Sequence, residues 1–170
     1  MSTKIRLWFT GVTLVATFGL VYTSVAFSEQ GGGDLPKTVK NIAEAFKNGD
    51  GDGAKKQAVA AAKKIDDVAD LMEMFKPKTG LNLQNLLKKP TVKNAQELGN
   101  LGAAMAELIL AKTPAKDGTK GRTKKAWADF SEDMRAASLD LAKANNAKAV
   151  TAAATKIDNV CTACHNKFKD

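Results

Sequence analysis

The chain has 170 residues, a formal charge of +8, two cysteines and one histidine, with 44% hydrophobic residues, 13 glycines and 4 prolines. One domain is the default at this length. Two cysteines exclude a disulfide-stapled scaffold, and one histidine excludes multi-histidine metal sites and leaves none for a Ser-His-Asp hydrolase beside any other use of it.

The Ala- and Lys-rich, aromatic-poor composition leans helical. Residues 1–26 read as a targeting segment. Lys4 and Arg6 form a basic start, Leu7 to Tyr22 is apolar apart from Thr and Gly, and Ser24-Val25-Ala26 is a small-x-small cleavage signature. The expectation is a secretory signal peptide cut after Ala26, and hence a periplasmic or otherwise exported protein. The alternative is an uncleaved membrane anchor over residues 7–26, a length that can span a bilayer. Cleavage removes Lys4 and Arg6 and lowers the charge from +8 to +6.

Residues 27–53 read as a leader. Gly31-Gly32-Gly33 reads as a flexible stretch, and Pro36 suits a first helical turn. Val39, Ile42 and Phe46 then mark a short amphipathic helix over 36–48. The run Asn48-Gly49-Asp50-Gly51-Asp52-Gly53 ends it. This run alternates Asp and Gly as a calcium loop does, but Gln57 and Val59 stand where a ligating glutamate is needed, so it reads as a solvated linker.

Four longer helices follow over 54–170. The first is expected over 54–76, with Ala58, Ala61, Ile65, Val68, Met72 and Phe75 on one stripe and Pro77 and Gly80 ending it. A loop over 77–91 crosses to the second, 92–112, which turns Ala95, Leu98, Gly102, Met105 and Ile109 inward. The third, 124–144, carries Trp127, Phe130, Met134, Ala137 and Leu141. The fourth, 147–168, carries Val150, Ala154, Ile157, Cys161, Cys164 and Phe168. These are spacings of three and four, and nothing alternates with period two over a useful length. The fold class expected is all-α, an antiparallel four-helix bundle with a short extra N-terminal helix. One nonamer nearly repeats: AAAKKIDDV at 60–68 and AAATKIDNV at 152–160, offset by 92, which puts Met72 in register with Cys164.

Cys161-Thr162-Ala163-Cys164-His165 is C-x-x-C-H, the attachment sequence of c-type haem. On a helix, residues 161 and 164 share a face, so their thiols can add to the two vinyl groups of one porphyrin. His165 follows on the adjoining flank, where its imidazole can reach iron. Both cysteines and the only histidine fall within these five residues. A thioredoxin-like pair needs a strand–turn–helix setting, and a zinc site needs a further ligand cluster. A structural disulfide would close too small a loop to stabilise much.

A C-x-x-C-H in the last turns of a C-terminal helix of a four-helix bundle resembles the class II cytochromes c, the cytochrome c′ group. The resemblance is best over 124–169, with Trp127, Phe130, Met134-Arg135, Ala149-Val150 and CTACHNKFK. The family commonly ends C-x-x-C-H-x-x-[FY]-[RK], and His165, Phe168 and Lys169 occupy those places. Residues 54–76 match only as an amphipathic first helix, and helix 36–48 is an addition. The resemblance implies one haem c bound covalently by Cys161 and Cys164, with His165 as proximal iron ligand. It further implies a side chain from the first helix over the distal face. A methionine there makes six-coordinate iron suited to electron transfer. An apolar residue leaves five-coordinate iron that binds nitric oxide or carbon monoxide.

Met72 is the leading candidate for the sixth ligand, with plain core packing as its alternative. Met74 is expected on the opposite side of that helix, and Met105 and Met134 in the core. The function expected is an exported one-electron carrier and not an enzyme, with the gas-binding cytochrome c′ as the alternative. Its basic charge suits an acidic redox partner. Nucleic acid is not expected as a partner, nor any membrane span after cleavage. Homodimerisation through the first two helices is a family trait carried over as an expectation.

Overall fold

The structure is a computed structural model describing residues 35–78 and 80–169. The expected signal peptide, its cleavage site and the glycine-rich leader lie outside the described residues. Those residues form seven α-helices and no strand: α1 Leu35–Lys47, α2 Gly51–Ala62, α3 Val68–Glu73, α4 Leu83–Lys88, α5 Val92–Ala111, α6 Lys124–Lys143 and α7 Ala147–Phe168. Among them no helix is long and apolar enough to cross a membrane.

α1 is not an appendage ahead of the fold. Its apolar face buries Val39 and Ile42 completely, and it packs on α2 and α5 as part of one continuous core. The Asp/Gly run does end it, but only Asn48–Asp50 form the connection. Gly49 takes φ +77°, a conformation that glycine enters without penalty. That lets Asp50 N–H reach Ala45 O at 2.9 Å and Gly49 N–H reach Phe46 O at 3.0 Å, a Schellman closure. Asp50 then caps α2, its side chain accepting from Gly53 N–H at 2.8 Å. Gly51 to Gly53, expected as linker, are the first turn of α2.

The helix expected over 54–76 is two helices. α2 stops at Ala62, and α3 starts at Val68 under the Asp67 cap, which accepts from Ala69 N–H at 3.0 Å. The break changes which side chains are covered: Ala54, Ala58, Ala62, Leu71 and Met74 are buried, whereas Ile65, Val68 and Met72 are only partly so. The loop expected over 77–91 contains α4, which buries Leu83 and bridges α5 and α7.

α5, α6 and α7 match their expected ranges to within a residue. α5 is the centre: from Leu98 to Ile109 every residue is buried. Its start is fixed by a capping box, Thr91 and Asn94 exchanging side-chain-to-backbone bonds. α5 and α6 are antiparallel, with Gly99 against Ala142 at one end and Ile109 against Trp127 at the other. Gly99 meets the α6 backbone, and Gly102 meets the Ser138 side chain. A Cβ on Gly99 would lie 2.3 Å from Ala142 N, and one on Gly102 would lie 2.6 Å from Ser138 Oγ. Further along, Glu107, 3% exposed, is held by Arg135 Nη1 at 2.6 Å. α7 returns antiparallel to α6, from Lys156 beside Asp140 at 3.0 Å to Phe168 beside Trp127.

Candidate functional site at the C-terminal end of α7

α7 starts at Asn146, whose side chain accepts from Ala149 N–H at 2.9 Å. Val150, Ala153, Ala154 and Ile157 then fasten its first turns to the core. Cys161, Cys164 and Phe168 continue that stripe at a shallower depth, each half-buried, while His165 is exposed on the flank. Both cysteines are free thiols. The structure therefore presents two thiols on one semi-apolar face and the imidazole beside them.

The end of α7 is tied down from three sides. The Phe168 ring meets Trp127 edge-on at 5.1 Å and Phe130 at 6.3 Å. Such contacts contribute about 0.5–1.5 kcal/mol beyond area burial. Trp127 is itself fixed, its Nε1–H donating to Ile109 O at 2.7 Å. Arg122 Nε donates to Lys167 O at 3.0 Å, binding the last turn of α7 to the loop between α5 and α6. Lys169 N–H closes the helix on His165 O at 2.9 Å. Lys167 in the last turn complements the negative end of the helix dipole.

The electrostatics argue against an activated redox pair. Burial, with Asp158 and Cys164 adding to it, pushes the Cys161 thiol up to about 11. Burial also raises Cys164. Disulfide oxidoreductases lower a cysteine pKa, commonly at a helix N-terminus; these cysteines sit near a C-terminus, where the dipole disfavours thiolate. Neutral, semi-apolar thiols suit addition to an apolar vinyl group.

Met72 and Met74 reverse their expected depths. Met74 is 6% exposed within the core, and Met72 is half-buried. α3 ends at Glu73, leaving Met74 as its C-cap, so a helical wheel carried on from Ile65 and Val68 misplaces both. α3 packs on α5 and makes no close backbone approach to α7, whereas α4 packs on both. The structure thus groups Cys161, Cys164 and His165 on α7, while Met72 sits half-buried on α3. Met105 and Met134 are core residues as expected, and Trp127 and Phe168 form the stack just described. Arg135 pairs with buried Glu107. The sequence gives no sign of Arg122, whose bond to a backbone carbonyl 45 residues away leaves no pattern in it.

Neither protein-family models, nor curated proteins, nor solved structures yield a match to this chain.

Proposed function

We propose that this chain is an exported monohaem c-type cytochrome that carries one electron at a time. The observation that carries the reading is the placement of Cys161 and Cys164 on one half-buried face of α7 with exposed His165 beside them. The donor set fits haem c: Cys161 and Cys164 would hold the porphyrin through thioethers, and His165 would hold iron. The group supplies reversible one-electron redox chemistry when bound. The protein's part is to hold the motif rigid. Phe168 wedged on Trp127 and Phe130, and Arg122 on the Lys167 carbonyl, restrain the turn that bears His165. With the chain's one histidine committed to iron, the reading is a carrier and not an enzyme.

The arrangement of the helices goes with this reading. The described residues are all helical, which is compatible with a helical bundle: α5–α6 and α6–α7 are antiparallel neighbours, and α1 and α2 pack on α5. Export follows from residues 1–26, with anchoring by residues 7–26 as the other reading of that segment. The partner is an acidic redox protein. Homodimerisation remains a family-derived proposal.

A second reading has its own observation. Met72 is half-buried on α3 two residues from buried Met74, as a plain packing residue would be, and with no methionine on iron the reading is five-coordinate iron that binds nitric oxide or carbon monoxide. Absorption spectra of the purified ferric and ferrous protein, with and without carbon monoxide, separate the two. A low-spin spectrum indifferent to carbon monoxide, lost in Met72→Ala, establishes the Met72-ligated carrier. A high-spin ferrous form that takes up carbon monoxide establishes the gas-binding cytochrome. Absence of covalent haem after co-expression with haem-attachment machinery, or its retention in Cys161→Ser/Cys164→Ser, refutes both.

A further inference from the structure

We propose that the end of the molecule built from the α5–α6 loop, the first turn of α6 and the last turn of α7 is a docking face for an acidic protein surface. The proposal deepens the carrier reading and rests on it for its purpose, though the charge distribution stands without it. Between residues 116 and 125 the chain has Lys116, Lys120, Arg122, Lys124 and Lys125 against a single carboxylate, Asp117. That carboxylate is engaged by the backbone, accepting from Lys124 N–H at 2.7 Å. The Arg122 bond to Lys167 O joins this loop to α7, and Lys167 Nζ lies beside Gly121. Lys167 and Lys169 therefore extend the same positive face to within a turn of His165.

Helix stability does not account for these positions. Lysine at the end of α5 or α7 complements a helix dipole, but Lys124 and Lys125 open α6, whose first turn has no acidic residue. Positive charge at that end opposes the dipole. Lys125 offsets this in part by pairing with Asp129 at 2.6 Å; Lys124 is exposed. Lys120 sits at φ +55° beside Gly121 at φ +72°, closed by Arg122 N–H on Thr119 O at 3.1 Å. Glycine or asparagine is the usual occupant of that left-handed position. The turn thus holds an exposed lysine at its tip against local backbone preference.

The partner chemistry follows from what accompanies the charge. The exposed large apolar side chains among the described residues are Val59, Leu86 and Val92, none of them on this face. A membrane-surface site pairs its lysines with apolar residues that enter the acyl boundary. A face of separated cations without them suits the carboxylates of a folded protein, where charge sets encounter rate and orientation.

The test is backbone NMR of the purified full chain titrated with a short poly-L-glutamate peptide, and in parallel with phosphatidylglycerol vesicles. Shifts confined to 116–125 and 163–169, lost on raising ionic strength, are the expected result. Lys120→Glu/Lys124→Glu weakens peptide binding roughly tenfold, and Lys55→Glu/Lys56→Glu on α2 leaves it unchanged. Lys120→Gln/Lys124→Gln gives a smaller loss and stands in if charge reversal perturbs folding. Shifts spread over α1 and α2, equal losses in both charge-reversal variants, no binding at all, or vesicle binding without peptide binding overturns the proposal. The readout contains no haem signal, so a chain that lacks haem yet binds the peptide at this face refutes the carrier reading alone.

Discussion

Residues 60–68 and 152–160 are the same nonamer but for two positions, and they fold differently. AAATKIDNV runs as continuous helix in the middle of α7; AAAKKIDDV leaves α2 after Ala62, turns, and enters α3 at Val68. The two differences, Lys63 against Thr155 and Asp67 against Asn159, explain part of this. In the first segment two lysines stand at the negative end of α2. Asp67 then caps α3, with Asp70 in its first turn, so the charges sort on either side of a boundary as helix dipoles favour. Tertiary contact supplies the rest. Lys112 at the end of α5 donates to Ile65 O at 2.7 Å, satisfying a carbonyl that the break exposes. In the second segment Ile157, the counterpart of Ile65, is 1% exposed and anchors the helix to the core.

The comparison can be broken hardest at its buried end. Ile157→Ala is expected to cost about 2–5 kcal/mol, read by denaturant unfolding, while Ile65→Ala costs far less because that side chain is only half-buried. Next, Lys112→Met removes the donor to Ile65 O and is expected to cost about 1–2 kcal/mol. Amide hydrogen exchange speeding up over residues 63–68 and not over α7 would locate the effect. Asp67→Ala removes the α3 cap for about 1 kcal/mol, whereas Asp67→Asn, an equally good cap, stays within a few tenths. The smallest effect sharpens the contrast most: Asn159→Asp makes the second nonamer resemble the first, yet α7 is expected to stay helical, with far-ultraviolet circular dichroism unchanged and stability within about 0.5 kcal/mol. A break at 159 in that variant would show that the carboxylate alone dictates the turn.

This pair also marks how far the sequence could be read. α5, α6 and α7 were legible because each carries one uninterrupted apolar stripe between clear stops: Thr91 before Val92, Pro114 after Ala111, Asn146 before Ala147. The α2–α3 break was legible in principle, since Lys-Lys-Ile-Asp-Asp pairs a basic helix end with an acidic helix start. It was masked by apolar spacing that continues to Phe75. α1 looked peripheral because a glycine-rich run followed it, yet that run is a tight Schellman corner and leaves the helix free to pack on α5. Of the site, Cys161, Cys164 and His165 were legible from spacing alone. The neighbours that steady them were legible only as apolar residues: Trp127 and Phe168 read as core, while their edge-on geometry and the Arg122 tie arise from chain reversal. The depth of Met72 and Met74 was not legible, because it depends on where α3 ends.

The burial of α5 from Leu98 to Ile109 has a consequence for how this chain can vary. A helix with a solvent face tolerates the loss of one residue by turning about 100° and showing a different side to water. From Leu98 to Ile109 α5 has no such side. Deleting one residue near Leu101 would swing either Gly99 off the α6 backbone or Glu107 off Arg135, since the two contacts lie on opposite sides of the deletion. The spacing between those points behaves as a fixed gauge: substitutions along it are filtered by size, but changes in its length are barred outright.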